Sequence, residues 1–334
     1  MAWMIISGSD ALDVKNFEEA IMLIAIDHGN YAIKSADGDS FVSGLSQHSV
    51  PPPLATDTIE WDGKFWTLTE SRIPYMKDKT KDDRFFILSL FAIARELKEQ
   101  GEMLADANID LAVGLPPEHL STLKDKFLKY FKRESVKFKY NGMPLNINIR
   151  RVFVYPQAYA AVVPQSRLLI STPRLFVIDI GGFTIDVLML RNGKPDLLFC
   201  RSLEIGVIAM NNEIIGRVGS LHDIKVEDDH INAVIQGRDT ILPESVIKTI
   251  WDSTKCHADT ILNKLRELQV DLRSTPAIFI GGGSILYRKY IESSPMVVKA
   301  DFITDTRANA IGYAMLATSQ LQKLSANGGN NGNA

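Results

Sequence analysis

Two stretches of the chain share one pattern, Ile24-Ala-Ile-Asp-His-Gly-Asn-Tyr-Ala-Ile-Lys34 and Phe176-Val-Ile-Asp-Ile-Gly-Gly-Phe-Thr-Ile-Asp186. In each, an apolar run ends at an Asp, a Gly follows two positions later, and an aromatic residue precedes a second run that contains Ile. Apolar runs on both sides of a glycine turn predict a strand, a tight turn and a second strand. Because the copies lie about half the chain apart, we predict two duplicated α/β lobes that face one cleft.

The two turns carry the groups that a phosphate site needs. A glycine turn lets backbone N–H groups approach phosphate oxygens, because no Cβ intervenes. Asp27 and Asp179 end the two strands, and a hard divalent cation such as Mg²⁺, held largely through water, would relieve the repulsion between their carboxylates. Lys34 and Thr184 add a positive charge and a hydroxyl donor. The repeat therefore predicts a phosphate-binding site between the lobes.

A third glycine cluster, Gly281-Gly-Gly-Ser284, follows an apolar run and precedes a predicted helix. A glycine-rich helix N-terminus allows a nucleotide to approach the backbone closely. A single glycine turn is most often only a turn, but three such elements at the ends of apolar strands favour a nucleoside triphosphate. The sequence contains no GxxxxGK[ST] loop, and the third cluster lacks the last glycine of the dinucleotide pattern.

Apolar spacing and turn residues predict the main elements around these motifs. Asp-Gly at 62–63 and Asn-Gly at 141–142 predict hairpin turns. Apolar residues at helical spacing predict a helix from Arg84 to about residue 100 and a long helix after Pro243. The apolar run 277–280 predicts a strand before the third glycine cluster. The chain thus alternates strands and helices in both halves.

The predicted division of the chain follows from the repeat. We predict lobe I at 22–165 and lobe II at 166–307, with smaller subdomains inserted at 37–84 and at about 201–274. The remaining segments are predicted as an N-terminal extension at 1–21 without a catalytic role, a C-terminal helix at 308–320 that returns to lobe I, and a disordered tail at 321–334.

Composition excludes several classes of protein. Lys plus Arg is 37 against 40 Asp plus Glu, which argues against a generally basic face for nucleic acid, so we expect no direct nucleic-acid binding. Two cysteines outside any CxxC pair cannot form a disulfide framework and favour a reducing cytoplasm. No apolar run approaches the ~20 residues of a membrane span. We predict a cytoplasmic protein without membrane contact.

In order along the chain, five segments resemble the motifs of the actin, sugar-kinase and heat-shock-chaperone ATPase superfamily. They are the phosphate motifs 27–34 and 179–186, a first connecting motif Val154-Tyr-Pro-Gln157, an adenosine motif Ile278-Phe-Ile-Gly-Gly-Gly-Ser284, and a second connecting motif Ala308-Asn-Ala-Ile-Gly312. Within the superfamily, the chain is most similar to the ParM type of bacterial actin-like plasmid-segregation protein over about residues 22–317. Ala112-Val-Gly-Leu-Pro, Tyr140-Asn-Gly and Ser202-Leu-Glu-Ile-Gly-Val207 carry that similarity.

The resemblance implies an actin-like fold that binds ATP or GTP with Mg²⁺, and it implies roles for individual residues. Asp27 and Asp179 would organise Mg²⁺ and its water, and Gln157 would orient the attacking water. ParM proteins carry Glu at the position of Gln157, and an amide cannot be a strong general base, so a positioning role is implied. The nucleotide contacts implied are Gly29, Asn30, Lys34, Gly181, Gly182 and Thr184 for the phosphates, Glu204 and Gly206 for the ribose side, and Gly281, Gly282 and Gly283 for the adenosine.

The resemblance also implies partners. The chain would polymerise with itself into nucleotide-dependent filaments, and an adaptor protein bound to centromere-like plasmid DNA would connect the filaments to their cargo. Two alternatives stay open at this point. One is a monomeric nucleotide-dependent interaction module, and the other is a small-molecule kinase of the same fold, which would need a further acidic base.

Overall fold

The computed structural model describes residues 21–328 apart from 39, 54–56, 100–105, 166–168 and 170. The described strands are β1 (Ile21–His28), β2 (Ala32–Ser35), β3 (Ser40–Val42), β4 (Leu45–His48), β5 (Thr58–Trp61), β6 (Lys64–Leu68), β7 (Asp106–Leu115), β8 (Val136–Tyr140), β9 (Met143–Pro156), β10 (Arg174–Ile180), β11 (Ile185–Arg191), β12 (Lys194–Leu203), β13 (Ala277–Ile280) and β14 (Ala300–Phe302). The helices are α1 (Arg84–Glu99), α2 (Leu120–Phe131), α3 (Tyr159–Val162), α4 (Val207–His222), α5 (Asp228–Ile235), α6 (Glu244–Glu267), α7 (Gly282–Glu292) and α8 (Ala308–Gly328). None of these helices is long and apolar enough to cross a membrane.

The predicted duplication is present in the sheets. In lobe I, β1 pairs antiparallel with β2 and parallel with β7, and in lobe II, β10 pairs antiparallel with β11 and parallel with β13. The register repeats as well, because Asp27 lies opposite Lys34 in one hairpin and Asp179 lies opposite Asp186 in the other. The two Asp-x-Gly turns therefore lie at equivalent sheet ends.

The segment inserted after the first hairpin is hydrogen-bonded into the sheet of lobe I. That sheet has nine strands in the order β3-β2-β1-β7-β9-β8-β5-β6-β4. The long strand β9 pairs with β7 through its second half and with β8 through its first half, so it joins the central strands to the inserted ones. Lobe II has a separate five-stranded sheet in the order β12-β11-β10-β13-β14.

Hairpin turns form where Asp-Gly or Asn-Gly pairs interrupt apolar strands. Asp62 and Gly63 have φ values of 50° and 69°, and Asn141 and Gly142 have 50° and 81°. Positive φ at both central residues is the geometry of the two-residue turn that matches strand twist. The hairpins predicted at these two positions are confirmed.

Helix α8 crosses from lobe II and packs on lobe I. Its Tyr313 and Ala317 are buried against Ala25, Ala112 and Phe153 of the lobe I strands. The predicted helix ended at residue 320 with a disordered tail after it, and this was wrong for residues 321–328, which continue the helix. Leu316 and Leu321 extend the packed apolar face, which explains the extra turns. Residues 329–334 lie outside the described part of the chain.

The first strand begins one residue earlier than predicted. Ile21 is already paired with Asn108 of β7, so it belongs to β1 rather than to the N-terminal extension. The strand continues to His28 because Ile24, Ala25 and Ile26 are buried between the layers of lobe I. Residues 1–20 of the predicted extension lie outside the described residues.

Helix α1 buries one carboxyl group in the core of lobe I. Glu96 is 5% exposed, and neither of its carboxylate oxygens has a hydrogen-bond partner. Burial first, and then the nearby charges of Asp37 and Glu99, raise the pKa of Glu96 to about 8. The folded protein therefore retains a proton on Glu96 over a pH range in which the unfolded chain loses it.

We predict that Glu96→Gln flattens the pH dependence of stability. Because the folded pKa is raised, the free energy of unfolding of the wild type should fall as pH rises from about 4.5 toward about 8. The expected slope is on the order of 1 kcal/mol per pH unit, and the variant should be the more stable protein at pH 8. Urea unfolding at several pH values measures this, with the exposed Glu267→Gln as control. Parallel curves for Glu96→Gln and wild type would refute it.

Candidate functional site

A cavity of about 390 Å³ lies between the two lobes. Both duplicated hairpins and the N-terminus of α7 contribute to its walls, as expected for parallel strands whose carboxyl ends meet at one cleft. Twelve of the residues predicted for the site line this cavity: Asp27, Gly29, Asn30, Lys34, Gln157, Asp179, Gly181, Gly182, Thr184, Gly281, Gly282 and Gly283.

Two residues expected on the ribose side do not line the cavity. Glu204 is exposed to solvent outside it. The N–H of Gly206 donates to the carbonyl of Phe183 at 3.0 Å, and a Cβ on Gly206 would lie 2.4 Å from the carbonyl oxygen of Gly182. Gly206 therefore supports the second phosphate turn from behind, and the ribose contacts expected of Glu204 and Gly206 stay predictions.

On the lobe I side, Asp27 is the centre of a small polar group. Its side chain is 3% exposed. Gln157 Nε2 donates to Asp27 Oδ1 at 2.8 Å, and Lys34 Nζ lies 3.8 Å from Oδ2. These contacts orient the carboxylate and place the Gln157 amide within the cavity wall.

The turn that carries Gln157 is strained. Ala158 has φ 63° and ψ −52°, a conformation that residues other than glycine rarely adopt. The N–H of Ala158 donates to Asn309 Oδ1 at 3.0 Å, and the N–H of Gln157 donates to the carbonyl of Leu115 at 2.8 Å. The surrounding structure thus holds Gln157 in a fixed place.

On the lobe II side, Asp179 is partly buried. Removal from water raises the pKa of Asp179 to about 7, and the charges of Asp186 and Asp27 add to that effect. Lys34 and a 3.2 Å hydrogen bond from Asn309 Nδ2 to Asp179 Oδ2 act in the opposite direction. The carboxylate therefore faces a cavity that lacks sufficient positive charge.

Backbone geometry near Asp179 requires glycine. Gly281 has φ 83°, and a Cβ there would lie 2.4 Å from Asp179 Oδ1. A Cβ on Gly283 would lie 2.4 Å from a side-chain carbon of Ile180. The third glycine cluster thus allows the start of α7 to approach strand β10 and leaves backbone exposed to the cavity.

Several cavity residues were missed by the sequence analysis. They are Tyr31, Lys79, Asp186, Asn211, Asn232, Gln236, Asp305, Thr306 and Asn309, among others. Asp186 and Asn309 lay inside quoted motifs and could have been found there. Lys79 belongs to the charge-rich run Lys77-Asp-Lys-Thr-Lys81, which is typical of a solvated loop, so no local signal marked it as buried.

Lys79 and Asp186 extend the charged lining of the cavity. Lys79 is 7% exposed and its amine donates to the carbonyl of His28. Burial lowers the pKa of Lys79 to about 8, while Asp27 and Asp186 counteract this. Thr184 Oγ1 donates to Asp186 Oδ2 at 3.0 Å. The cavity lining thus combines four carboxylates, those of Asp27, Asp179, Asp186 and Asp305, with the two lysines Lys34 and Lys79.

Two family models match the chain. The N-terminal domain of actin-like proteins matches residues 25–159, and the C-terminal domain of the archaeal actin homologue, MreB-like, matches residues 177–293. Each match contains one of the duplicated hairpins, and together they include more than half of the chain. No curated protein matches it in sequence.

Solved structures share the fold over most of the chain. Ta0583, an archaeal actin homolog, matches with a TM-score of 0.70 and 20% identity, covering 90% of this chain and 100% of that one. A 15-stranded ParM filament from Clostridium botulinum matches with 0.67 and 19%, covering 90% and 99%. Bacillus thuringiensis ParM with ATP matches with 0.65 and 12%, covering 90% and 99%. The predicted two-lobed actin-like α/β fold is confirmed.

We predict that Asn309→Leu destabilises the protein, because Asn309 is 8% exposed and joins Asp179 of lobe II to Ala158 of lobe I. The change leaves a buried N–H without an acceptor and Asp179 without a donor, which should lower the free energy of unfolding by about 1–3 kcal/mol. Chemical denaturation measures the loss, with the exposed Asn263→Leu as control. A stability equal to wild type would contradict the bridging role.

Proposed function

We propose that this actin-like chain is an ATPase, with GTP as an alternative substrate, that uses Mg²⁺ and assembles with itself into filaments. The observation that carries the proposal is the meeting of two duplicated Asp-x-Gly hairpins and a third glycine cluster on one cavity. Three glycine elements and two lysines around one cavity suit a polyphosphate, and the cavity volume suits one small ligand.

The phosphates would lie between the two hairpin turns. A Cβ on Gly29 would lie 2.6 Å from the carbonyl oxygen of Ala32, and a Cβ on Gly181 would lie 3.1 Å from that of Thr184. The first turn is therefore too tight for a side chain at position 29, the second leaves little room for one at position 181, and both glycines line the cavity. Lys34 would neutralise part of the phosphate charge.

The nucleoside would lie toward α7 and the helices of lobe II. Asn211 and Asn232 line the cavity there, and the side-chain oxygen of each is buried without a hydrogen-bond partner. Buried polar atoms of this kind are costly unless a ligand or water satisfies them. Ribose hydroxyls or a base amino group would supply the missing donors.

The residues present fit Mg²⁺ held mainly through water and phosphate oxygens. Asp27 and Asp179 face one cavity from opposite lobes. The charge of Asp27 helps to raise the pKa of Asp179, and a cation near the two carboxylates would lower that pKa. Within the described part of the chain, no group of three His, Cys, Asp or Glu side chains is placed to hold a metal ion directly. When bound, Mg²⁺ would stabilise negative charge on the transferring phosphoryl group.

Gln157 would orient the attacking water. Its Nε2 is committed to Asp27, so its side-chain oxygen is the atom available to accept a hydrogen bond from water. Phosphoryl transfer to water depends mainly on positioning and charge stabilisation. The strained, hydrogen-bonded turn at Ala158 supplies that positioning.

In a filament, one end of lobe II would contact the opposite end of lobe II in the next subunit. Leu198 is 94% exposed in the irregular part of edge strand β12, two residues after Asp196, which pairs with Arg191 at the sheet end away from the cavity. Ile241 and Leu221 are 98% and 62% exposed at the far end of the helical part. Two different apolar surfaces on one subunit are suited to a head-to-tail contact, which gives an open filament when the rotation does not close.

Charge supports the same pairing of surfaces. Outside the cleft-facing helix α5, the helical end, residues 221–227 and 237–244, contains four Asp or Glu and two Lys or Arg. At the sheet end Arg174, Arg191 and Lys194 are register neighbours, with Asp196 paired to Arg191. An acidic end would therefore meet a basic end in the next subunit.

A role in plasmid segregation completes the proposal. A chain with a net charge of −3 does not attract DNA phosphate generally, so a basic adaptor protein would hold the centromere-like DNA. The protein would act in the cytoplasm, where nucleotide is available.

We predict that Asp179→Ala abolishes nucleotide hydrolysis and that Gln157→Ala retains nucleotide binding but hydrolyses slowly. Loss of one charge-organising or water-orienting group should reduce the rate by about 100-fold or more. Phosphate release measures the rate and a fluorescent nucleotide measures binding, with the exposed Asp252→Ala as control. Hydrolysis by Asp179→Ala at the wild-type rate would show that the site is assigned wrongly.

We predict that Leu198→Asp and Ile241→Asp each prevent assembly without changing nucleotide binding. Each variant retains one intact end, so an equimolar mixture should form head-to-tail pairs and no filaments. Pelleting and analytical ultracentrifugation with ATP and Mg²⁺ distinguish these states.

Leu324→Asp is the control for the assembly experiment, because Leu324 is half exposed on α8, away from both ends of lobe II. It should assemble like wild type. If both end variants assemble normally, the contact surfaces are wrong. Wild-type protein that binds nucleotide but stays monomeric at all concentrations would instead favour the interaction module.

A further inference from the structure

One segment of lobe I contacts both phosphate turns. Residues 69–83, here called the bridging segment, run from β6 to α1. The N–H of Met76 donates to Asn30 Oδ1 at 3.2 Å in the first turn. The rings of Tyr75 and Phe183 lie 5.0 Å apart, which joins the segment to the second turn.

The bridging segment also reaches the helical part of lobe II. Arg72 Nη2 lies 3.6 Å from Asp228 Oδ2 at the start of α5, and the Arg72 guanidinium lies over the ring of Tyr31 at 4.8 Å. The segment thus connects the two lobes at the edge of the cleft. A ligand that holds the bridging segment in place would therefore also favour this relative position of the two lobes.

Lys79 is the member of the segment that enters the cavity. Its amine donates to the carbonyl of His28, a neutral acceptor, and lies 5.4 Å from the centre of the Phe85 ring. The charges of Asp27 and Asp186 act on this buried ammonium, but the hydrogen bond that it donates goes to a neutral carbonyl, which does not replace its lost hydration. An anionic ligand in the cavity would supply a charged acceptor.

The position of Lys79 along the cleft indicates which part of a nucleotide it would meet. Lys79, Asn30 and Thr184 line both the main cavity and a small neighbouring one of about 40 Å³. Gly281–Gly283 and Asn211 line only the main cavity. Lys79 therefore lies at the phosphate end, away from the proposed nucleoside end.

We propose that Lys79 binds the terminal phosphate of a nucleoside triphosphate and so couples that phosphate to the bridging segment between the lobes. The inference rests on the proposed nucleotide binding and adds a residue that distinguishes triphosphate from diphosphate. With the terminal phosphate present, Lys79 gains a charge-assisted contact, and the segment holds Phe183 and Asp228 more firmly. With a diphosphate, this contact is absent.

The test compares affinities of a non-hydrolysable ATP analogue and ADP, both with Mg²⁺, for wild type, Lys79→Gln and Lys79→Arg. Lys79→Gln should weaken binding of the analogue by about tenfold or more and that of ADP by less than threefold, since charged hydrogen bonds are strong. Lys79→Arg should recover part of the preference. Lys77→Gln, an exposed neighbour, should match wild type.

The outcomes separate this inference from the proposed function. If wild type binds neither nucleotide, both fail. If wild type binds both and Lys79→Gln weakens them equally or not at all, Lys79 has only a structural role and the inference is wrong. Should Lys79→Gln not fold, hydrogen exchange in wild type decides: residues 69–83 should be better protected by the analogue than by ADP, and equal protection would overturn the proposal.

Discussion

Two carboxylates that face one cavity from opposite lobes are the constraint around which the cleft is organised. Asp27 and Asp179 end equivalent strands, and the pKa of Asp179 is raised by its burial and by the charges of Asp186 and Asp27. Gln157, Lys34 and Asn309 each contact one of the two carboxylates. These contacts orient the carboxylates without neutralising them fully, which leaves the cavity suited to a cation with a polyphosphate.

Close backbone contacts hold this arrangement between the lobes. A Cβ on Gly312 would lie 1.9 Å from the carbonyl oxygen of Ala160, so α8 can approach α3 only through glycine. That contact places Asn309 where it can bond both Ala158 and Asp179. Helix α8 therefore also positions Asn309, which links Asp179 to the residue that follows Gln157. Asn309 also accepts a hydrogen bond from the N–H of Ala158, the residue with the strained backbone.

The features that could be predicted from the sequence are the repeated motifs and the elements with regular apolar spacing. The strand at 277–280 and the two hairpins were predicted because apolar runs and glycine turns are local signals. Lys79 was not predicted, because its burial depends on a loop folding back over a distant cavity. That Glu204 lies outside the cavity lining could not be predicted, because a motif gives order along the chain but not the direction of a side chain. The extra turns of α8 depend on packing against lobe I.

The most direct measurement is calorimetric titration of the wild-type protein with a non-hydrolysable ATP analogue, with and without Mg²⁺. If the paired carboxylates form a site for a cation with a polyphosphate, one nucleotide should bind per chain, and removal of Mg²⁺ should weaken binding by about tenfold or more. No binding, or binding that is equally tight without Mg²⁺, would contradict the account.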